Sequence, residues 1–226
     1  MRFNCKILLT KNELPLEYRR CIISFLKNAI SETKNVEFFE KYFSKDVVSK
    51  KPYTFFCQIP VLKKEHDKFL LKNNEITLHF STKDTFTYFL FRNALSDQKN
   101  KPFLITNHNF IIITNIYDEV EKDITSDAVI AKTRGNIVIC ETNGNNKERK
   151  YFSFGDENFV EKFFERTGLT ITPIECKTVK TLHFSSPIST TVGTFLLQGS
   201  KDKIKEAYLN GIGDRSSQGY GYIDII

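Results

Sequence analysis

The chain has 226 residues, of which 40% are hydrophobic and 13% aromatic, with no tryptophan. That is enough apolar material for one large or two small folded domains and excludes general disorder. The formal charge of +6 is compatible with a polyanionic partner without demanding one.

Cys5, Cys21, Cys57, Cys140 and Cys176 are scattered singly, with no C-x-x-C pair. Neither a disulfide framework nor a structural zinc site is suggested, and a reducing compartment fits. The N-terminus lacks a long apolar core, so no secretion signal is expected. No apolar run approaches the roughly 18 residues of a membrane span. These features predict a cytoplasmic protein with no membrane partner, no metal and no cofactor.

In chain order, Phe3, Cys5, Ile7 and Leu9 alternate at period two and predict a strand over 2–10. Leu16, Ile22, Ile23, Leu26 and Ile30 fall near helical spacing and predict a helix over about 15–32, with Pro15 in its first turn. The aromatic, polar stretch VEFFEKYFSKDVVSKK follows without an assigned element. Strands are predicted at 52–60 and 75–81, with a hairpin partner near 66–71. A helix over 84–95 and one strand over 102–114 complete a β-α-β-β-α-β order, the ferredoxin-like arrangement.

The second half repeats that order more loosely. Residues 129–139 read as strand, turn and strand about Arg134-Gly135-Asn136, and 143–150 as a solvated loop. A helix over 157–167 places Phe159, Val160, Phe163 and Phe164 on one face, stopped by Gly168. Strands at 172–184 and 191–199 and a helix over 201–211, with Ile204, Ala207 and Tyr208 inward, lead to a glycine-rich segment and a last strand. The fold class is therefore α+β, two tandem ferredoxin-like halves with antiparallel sheets, divided as 1–118 and 119–226.

The segment GIGDRSSQGYGYIDII runs from Gly211 to Ile226. A phosphate-binding Walker loop or a dinucleotide fingerprint leads from strand to helix, and here the glycines lead from helix to strand. Gln218 to Ile225 mimics an RNA-recognition-motif strand, but the helix and strand due after it are missing. A simple glycine hinge is a further reading. The arrangement helix, Gly211-Ile212-Gly213, five residues, Gly219-Tyr220-Gly221, closing strand resembles the glycine-rich loop of the RAMP superfamily of CRISPR proteins. It is most similar to the endoribonuclease family that processes CRISPR precursor RNA. Lys51-Pro52-Tyr53-Thr54-Phe55, at a strand start, and Ser126 to Arg134, running into a basic strand, fit the family order.

The resemblance implies metal-independent cleavage within the CRISPR repeat: a ribose 2′-OH attacks the neighbouring phosphorus and leaves a 2′,3′-cyclic phosphate and a 5′-OH. It also implies CRISPR repeat RNA or its processed product as partner, other effector-complex subunits as further partners, and a monomer or homodimer. The alternative within the superfamily is a non-cleaving, RNA-holding subunit. An unrelated ferredoxin-like enzyme or sensor is a third reading.

The family's active-site positions fall on Lys27, Ser44 and Lys51, with Ser44 where many relatives carry histidine; Tyr42 and Tyr53 are further candidates. None of His66, His79, His108 and His183 falls there. Neutral imidazole accepts a proton near pH 7, serine does not without a partner, and a desolvated lysine can. A cluster of Lys27, Lys45, Lys50 and Lys51 is thus expected to carry any chemistry. RNA contacts are expected from Lys132, Arg134, Lys177, Lys180 and His183, and from the loop residues Gly211, Gly213, Arg215, Ser216, Ser217, Gly219 and Gly221. The loop glycines would turn backbone amides toward a phosphate. Asp214 opposes this electrostatically, and no role for it is evident.

Overall fold

A computed structural model describes residues 1–44, 50–106, 108–143 and 148–226. The chain divides into two compact units. One comprises Met1–Pro52 and Cys57–Val120, the other Tyr53–Phe56 and Glu121–Ile226.

In the first unit the alternating N-terminal segment forms β1 (Arg2–Leu9), with Phe3, Cys5, Ile7 and Leu9 all buried. β2 (Glu13–Pro15) and α1 (Tyr18–Ser31) follow. Pro15 is therefore a strand residue and not part of the helix. It pairs with Lys68 at the edge of a small three-stranded sheet, where a missing N–H is tolerated. The aromatic stretch contains a helix that hydrophobic periodicity did not single out, α2 (Val36–Phe43). Asn35 caps it, its side-chain oxygen accepting from the Phe38 amide at 3.2 Å.

Next come β3 (Thr54–Gln58), whose first three residues are counted with the second unit, β4 (Val61–Lys64), β5 (Lys68–Leu71) and β6 (Glu75–Ser81). The segment near 66–71 pairs with β4 and β2 in the small sheet instead of forming a hairpin with β6. α3 (Thr85–Asp97) leads to β7 (Phe103–Thr106) and β8 (Asn109–Glu119). The single strand expected over 102–114 is thus a hairpin, with His108 left-handed at its turn (φ 59°). The main sheet has the order β3-β6-β1-β8-β7, and β1 runs antiparallel to both neighbours.

The second unit contains β9 (Ala128–Thr133), β10 (Ile139–Asn143), β11 (Glu148–Phe152), α4 (Phe159–Thr167), β12 (Thr170–His183), β13 (Ser186–Gln198), α5 (Lys201–Asn210) and β14 (Ile223–Ile225). Its sheet has the order β12-β13-β9-β14. Numbered within each half, the ferredoxin strands lie in the order 2-3-1-4 in both, so the chain is two tandem ferredoxin-like halves.

The strand after the Arg134 turn does not pair with β9. β10 pairs with β11, which occupies part of the expected loop, while residues 144–147 lie outside the described residues. On α4, Phe159 and Phe163 are buried but Val160 and Phe164 are exposed, so the apolar face is narrower than its sequence pattern. Gly168 ends α4 in the left-handed region, as expected. β12 and β13 form one long hairpin, and β13 pairs with β9 only over Thr194–Gln198. The remaining length forms a two-stranded arm ending at a two-residue turn, Phe184-Ser185.

Candidate functional site

The glycine loop of the second unit is built by close backbone packing. Gly211, Gly213, Gly219 and Gly221 all have φ between 69° and 84°, a region unfavourable to side chains. A Cβ on Gly221 would lie 2.1 Å from the Ile212 carbonyl, and one on Gly213 would lie 2.5 Å from the Val138 carbonyl. The two Gly-x-Gly limbs are joined by Ile212 N–H donating to the Gly221 carbonyl at 2.9 Å. Gly221 N–H donates in turn to Asn136 at 2.8 Å. The amides of Asp214, Gln218 and Gly219 likewise bond protein carbonyls. Five loop amides, among them those of Gly219 and Gly221, therefore hold the loop together instead of facing an anion.

Asp214 acquires a role here. One carboxylate oxygen accepts from the Cys140 amide at 2.8 Å and the other pairs with Arg166 at 3.1 Å. It fastens the loop to β10 and α4. Burial and the Asp214 carboxylate both raise the Cys140 thiol above its usual range. Ser216 is buried inside a short 3-10 turn, Ser216–Gln218, while Ser217 is partly exposed.

Arg215 turns its side chain to the hairpin arm from a left-handed backbone (φ 60°). Its guanidinium donates to Tyr151 Oη at 2.7 Å, to Gln218 Oε1 at 3.2 Å and to His183 Nε2. Guanidinium is only a donor, so His183 Nε2 is the acceptor in this contact. Nδ1 faces Tyr220 Oη at 3.3 Å. Tyr220 is fully buried, and its carbonyl accepts from Thr54 Oγ1 at 2.9 Å. The structure thus brings His183 and Arg215 together. Tyr151, Gln218 and Tyr220 complete the group, although sequence reasoning assigned them no role. Tyr220 sat inside the glycine motif; nothing in the sequence distinguished Tyr151.

The basic strand residues are less unified. Arg134 is held by Asp224 at 2.6 Å, so its charge is neutralised locally. Lys132 is exposed on β9. Lys177, Lys180 and His183 share β12, but strand alternation puts Lys180 on the face opposite Lys177 and His183.

In the first unit the structure gathers two of the expected amines. Lys27 Nζ lies 5.2 Å from the Phe39 ring centroid and Lys51 Nζ lies 5.1 Å from that of Phe43. Phe39 and Phe43 are successive turns of α2, with centroids 5.9 Å apart. Lys51 is half-buried, and its pKa is lowered first by that burial and then by Lys27. Ser44 caps the C-terminus of α2 through its backbone amide. Lys50 is exposed, and Lys45 lies outside the described residues. Tyr42 is 1% exposed, 2.7 Å from Thr87 Oγ1 and edge-on to Phe91. It is a core residue. Tyr53, in the second unit, is buried too.

The chain is thus two ferredoxin-like halves closed by a C-terminal glycine-rich loop. The family model described as "CRISPR associated protein Cas6, C-terminal" matches residues 119–225. The match is to the C-terminal part of that family and covers the second half of this chain. Three solved structures share its fold over its full length. A Cas6-related gene product from Pyrococcus furiosus superposes with a TM-score of 0.79 at 20% identity, over 98% of its own chain. A RAMP protein described as binding different RNA substrates gives 0.79 at 19% over 99%. A CRISPR associated protein Cas6 gives 0.74 at 15% over 99%. No curated protein matches the chain.

Proposed function

We propose that this protein binds CRISPR repeat RNA and cuts it without a metal ion, producing a 2′,3′-cyclic phosphate and a 5′-OH. The observation that carries the cleavage reading is the half-buried Lys51 amine beside Lys27, above the aromatic rings of α2. An amine with a lowered pKa is a better acceptor at neutral pH than an ordinary lysine. Neutral Lys51 takes the 2′-OH proton, the 2′ oxygen bonds to phosphorus, and the P–O5′ bond breaks as the 5′ oxygen gains a proton. The Lys27 ammonium supplies positive charge for the phosphorane.

The second unit supplies RNA contacts through Arg215, His183 and Lys132, with the glycines shaping the loop that presents Arg215. Kinship with the Cas6 family, one of whose structural relatives is described as binding different RNA substrates, supports repeat RNA as the ligand.

Incubating labelled repeat RNA in EDTA and mapping the ends of the products tests this reading. Cleavage should be lost by about 10²-fold or more in Lys51→Ala, the scale of a general base. It should be lost equally in Lys51→Arg, which keeps the charge but offers no neutral base. The rate should rise with pH as Lys51 is deprotonated. A non-cleaving, RNA-holding role is the second reading. It is favoured by Ser44 standing at the end of α2 and by the Tyr42 hydroxyl being engaged in the core. Full-length RNA recovered bound and uncut would establish it.

A further inference from the structure

A carboxylate partner steadies a lysine amine but also holds it as ammonium, which cannot accept a proton. Lys27 and Lys51 are steadied in another way. Among the described residues neither amine is ion-paired, and each sits against one ring of α2, Lys27 on Phe39 and Lys51 on Phe43. The two rings are four residues apart, so one face of the helix presents both. Phe43 meets Phe91 edge-on at 6.4 Å, and Phe91 is fully buried and stacked on Phe80 at 4.8 Å. The seat of Lys51 is thereby tied to the core of the first unit through three rings. A ring face within about 6 Å attracts a cation only modestly. It can hold a long, flexible side chain in place without fixing its charge.

We infer that Phe39 and Phe43 are positioning residues for RNA cleavage, seating the Lys27 and Lys51 amines near one another where a carboxylate would lock their charge. This rests on the cleavage reading above. Opposed effects then set the charge of Lys51. The Phe43 ring favours the ammonium, whereas burial and, after it, the Lys27 charge disfavour it.

Single-turnover cleavage of labelled repeat RNA in EDTA, followed across pH with the full chain at saturation, tests the seats. Phe43→Leu keeps an apolar side chain against Phe91 but removes the ring. Its plateau rate should fall about tenfold or more, the scale of a misplaced catalytic group, with the loss in rate and not in RNA affinity. Its pH midpoint should move lower, because the ammonium loses the ring that favours it. Phe39→Leu should also lower the plateau, but its midpoint should move higher, because an unseated Lys27 presses less on Lys51. Phe43→Tyr and Phe39→Tyr keep a ring and should restore both rate and midpoint. A merely structural role would not move the two midpoints in opposite directions. Wild-type plateaus in both leucine variants, a loss confined to RNA affinity, midpoints that fail to diverge, or tyrosine variants as slow as the leucine ones overturn the seats alone. A wild-type protein that leaves the RNA uncut overturns the seats and the cleavage reading together.

Discussion

Tyr42 lies 2.7 Å from Thr87 Oγ1, and Thr87 in turn donates to the Asp84 carboxylate at 2.5 Å. Because a carboxylate can only accept, the direction of the chain is fixed, and Tyr42 is its terminal donor. Asp84 also accepts from the Thr87 amide at 2.8 Å as the cap of α3. The Thr87 hydroxyl is the main cause of the lowered Asp84 pKa. Tyr42→Phe should therefore lower stability by about 1 kcal/mol in denaturant unfolding and leave RNA cleavage unchanged. Lys51 behaves in the opposite sense from a stabilising ion pair. Its folded pKa is below the ordinary lysine value, so between the two the unfolded chain binds more protons. Its contribution to stability should rise with pH across that interval. Lys51→Met should stabilise the protein most at pH values below it, as read from melting temperature against pH. Sequence identified Lys27 and Lys51 as ionisable groups; their pairing over Phe39 and Phe43 required α2, whose rings read only as an aromatic stretch.

Among the elements, the glycine loop was the most legible feature and also the most altered in meaning. Spacing located every glycine and the helix-to-strand order around them. It did not reveal that Gly221 faces the Ile212 carbonyl, because that approach spans two limbs of the loop. Gly221→Ala should destabilise the fold by about 2 kcal/mol or more, since a Cβ cannot fit without moving backbone. Thermal unfolding measured alongside RNA binding checks this. A comparable melting temperature in the variant would mean that the limbs are not packed as described. Any loss of RNA binding in such a variant reports the loop's shape before its chemistry. Pro15, the β7–β8 hairpin and the β10–β11 pair were illegible for a related reason. Each depends on which distant strand is available as partner, and periodicity reports only a strand's own faces.

On the scale of the whole molecule, the 2-3-1-4 strand order of both halves could be anticipated from the order of elements alone, while a solved structure of the same fold shares only 20% of residues. The +6 charge is modest, and Arg134 and Arg166 are already paired with carboxylates. RNA affinity should fall with added salt at a log–log slope of about −0.7 for each phosphate neutralised. Lys132→Ala should reduce that slope by about one such increment, and Arg134→Ala by less. Filter binding at several salt concentrations distinguishes them.

The Thr54 hydroxyl that bonds the Tyr220 carbonyl has a consequence for how the second unit assembles. The two residues are 166 positions apart, and Phe56 packs near Tyr222 in the same place, with ring centroids 6.1 Å apart. These contacts require the chain to return over that interval, and closure entropy grows with its length. Non-local contacts of this kind slow folding. Protection of the glycine-loop amides should therefore mature late in refolding, after the α4 and α5 helices have formed. A fragment beginning at Glu121 would carry the whole loop yet lack the short segment against which it sets.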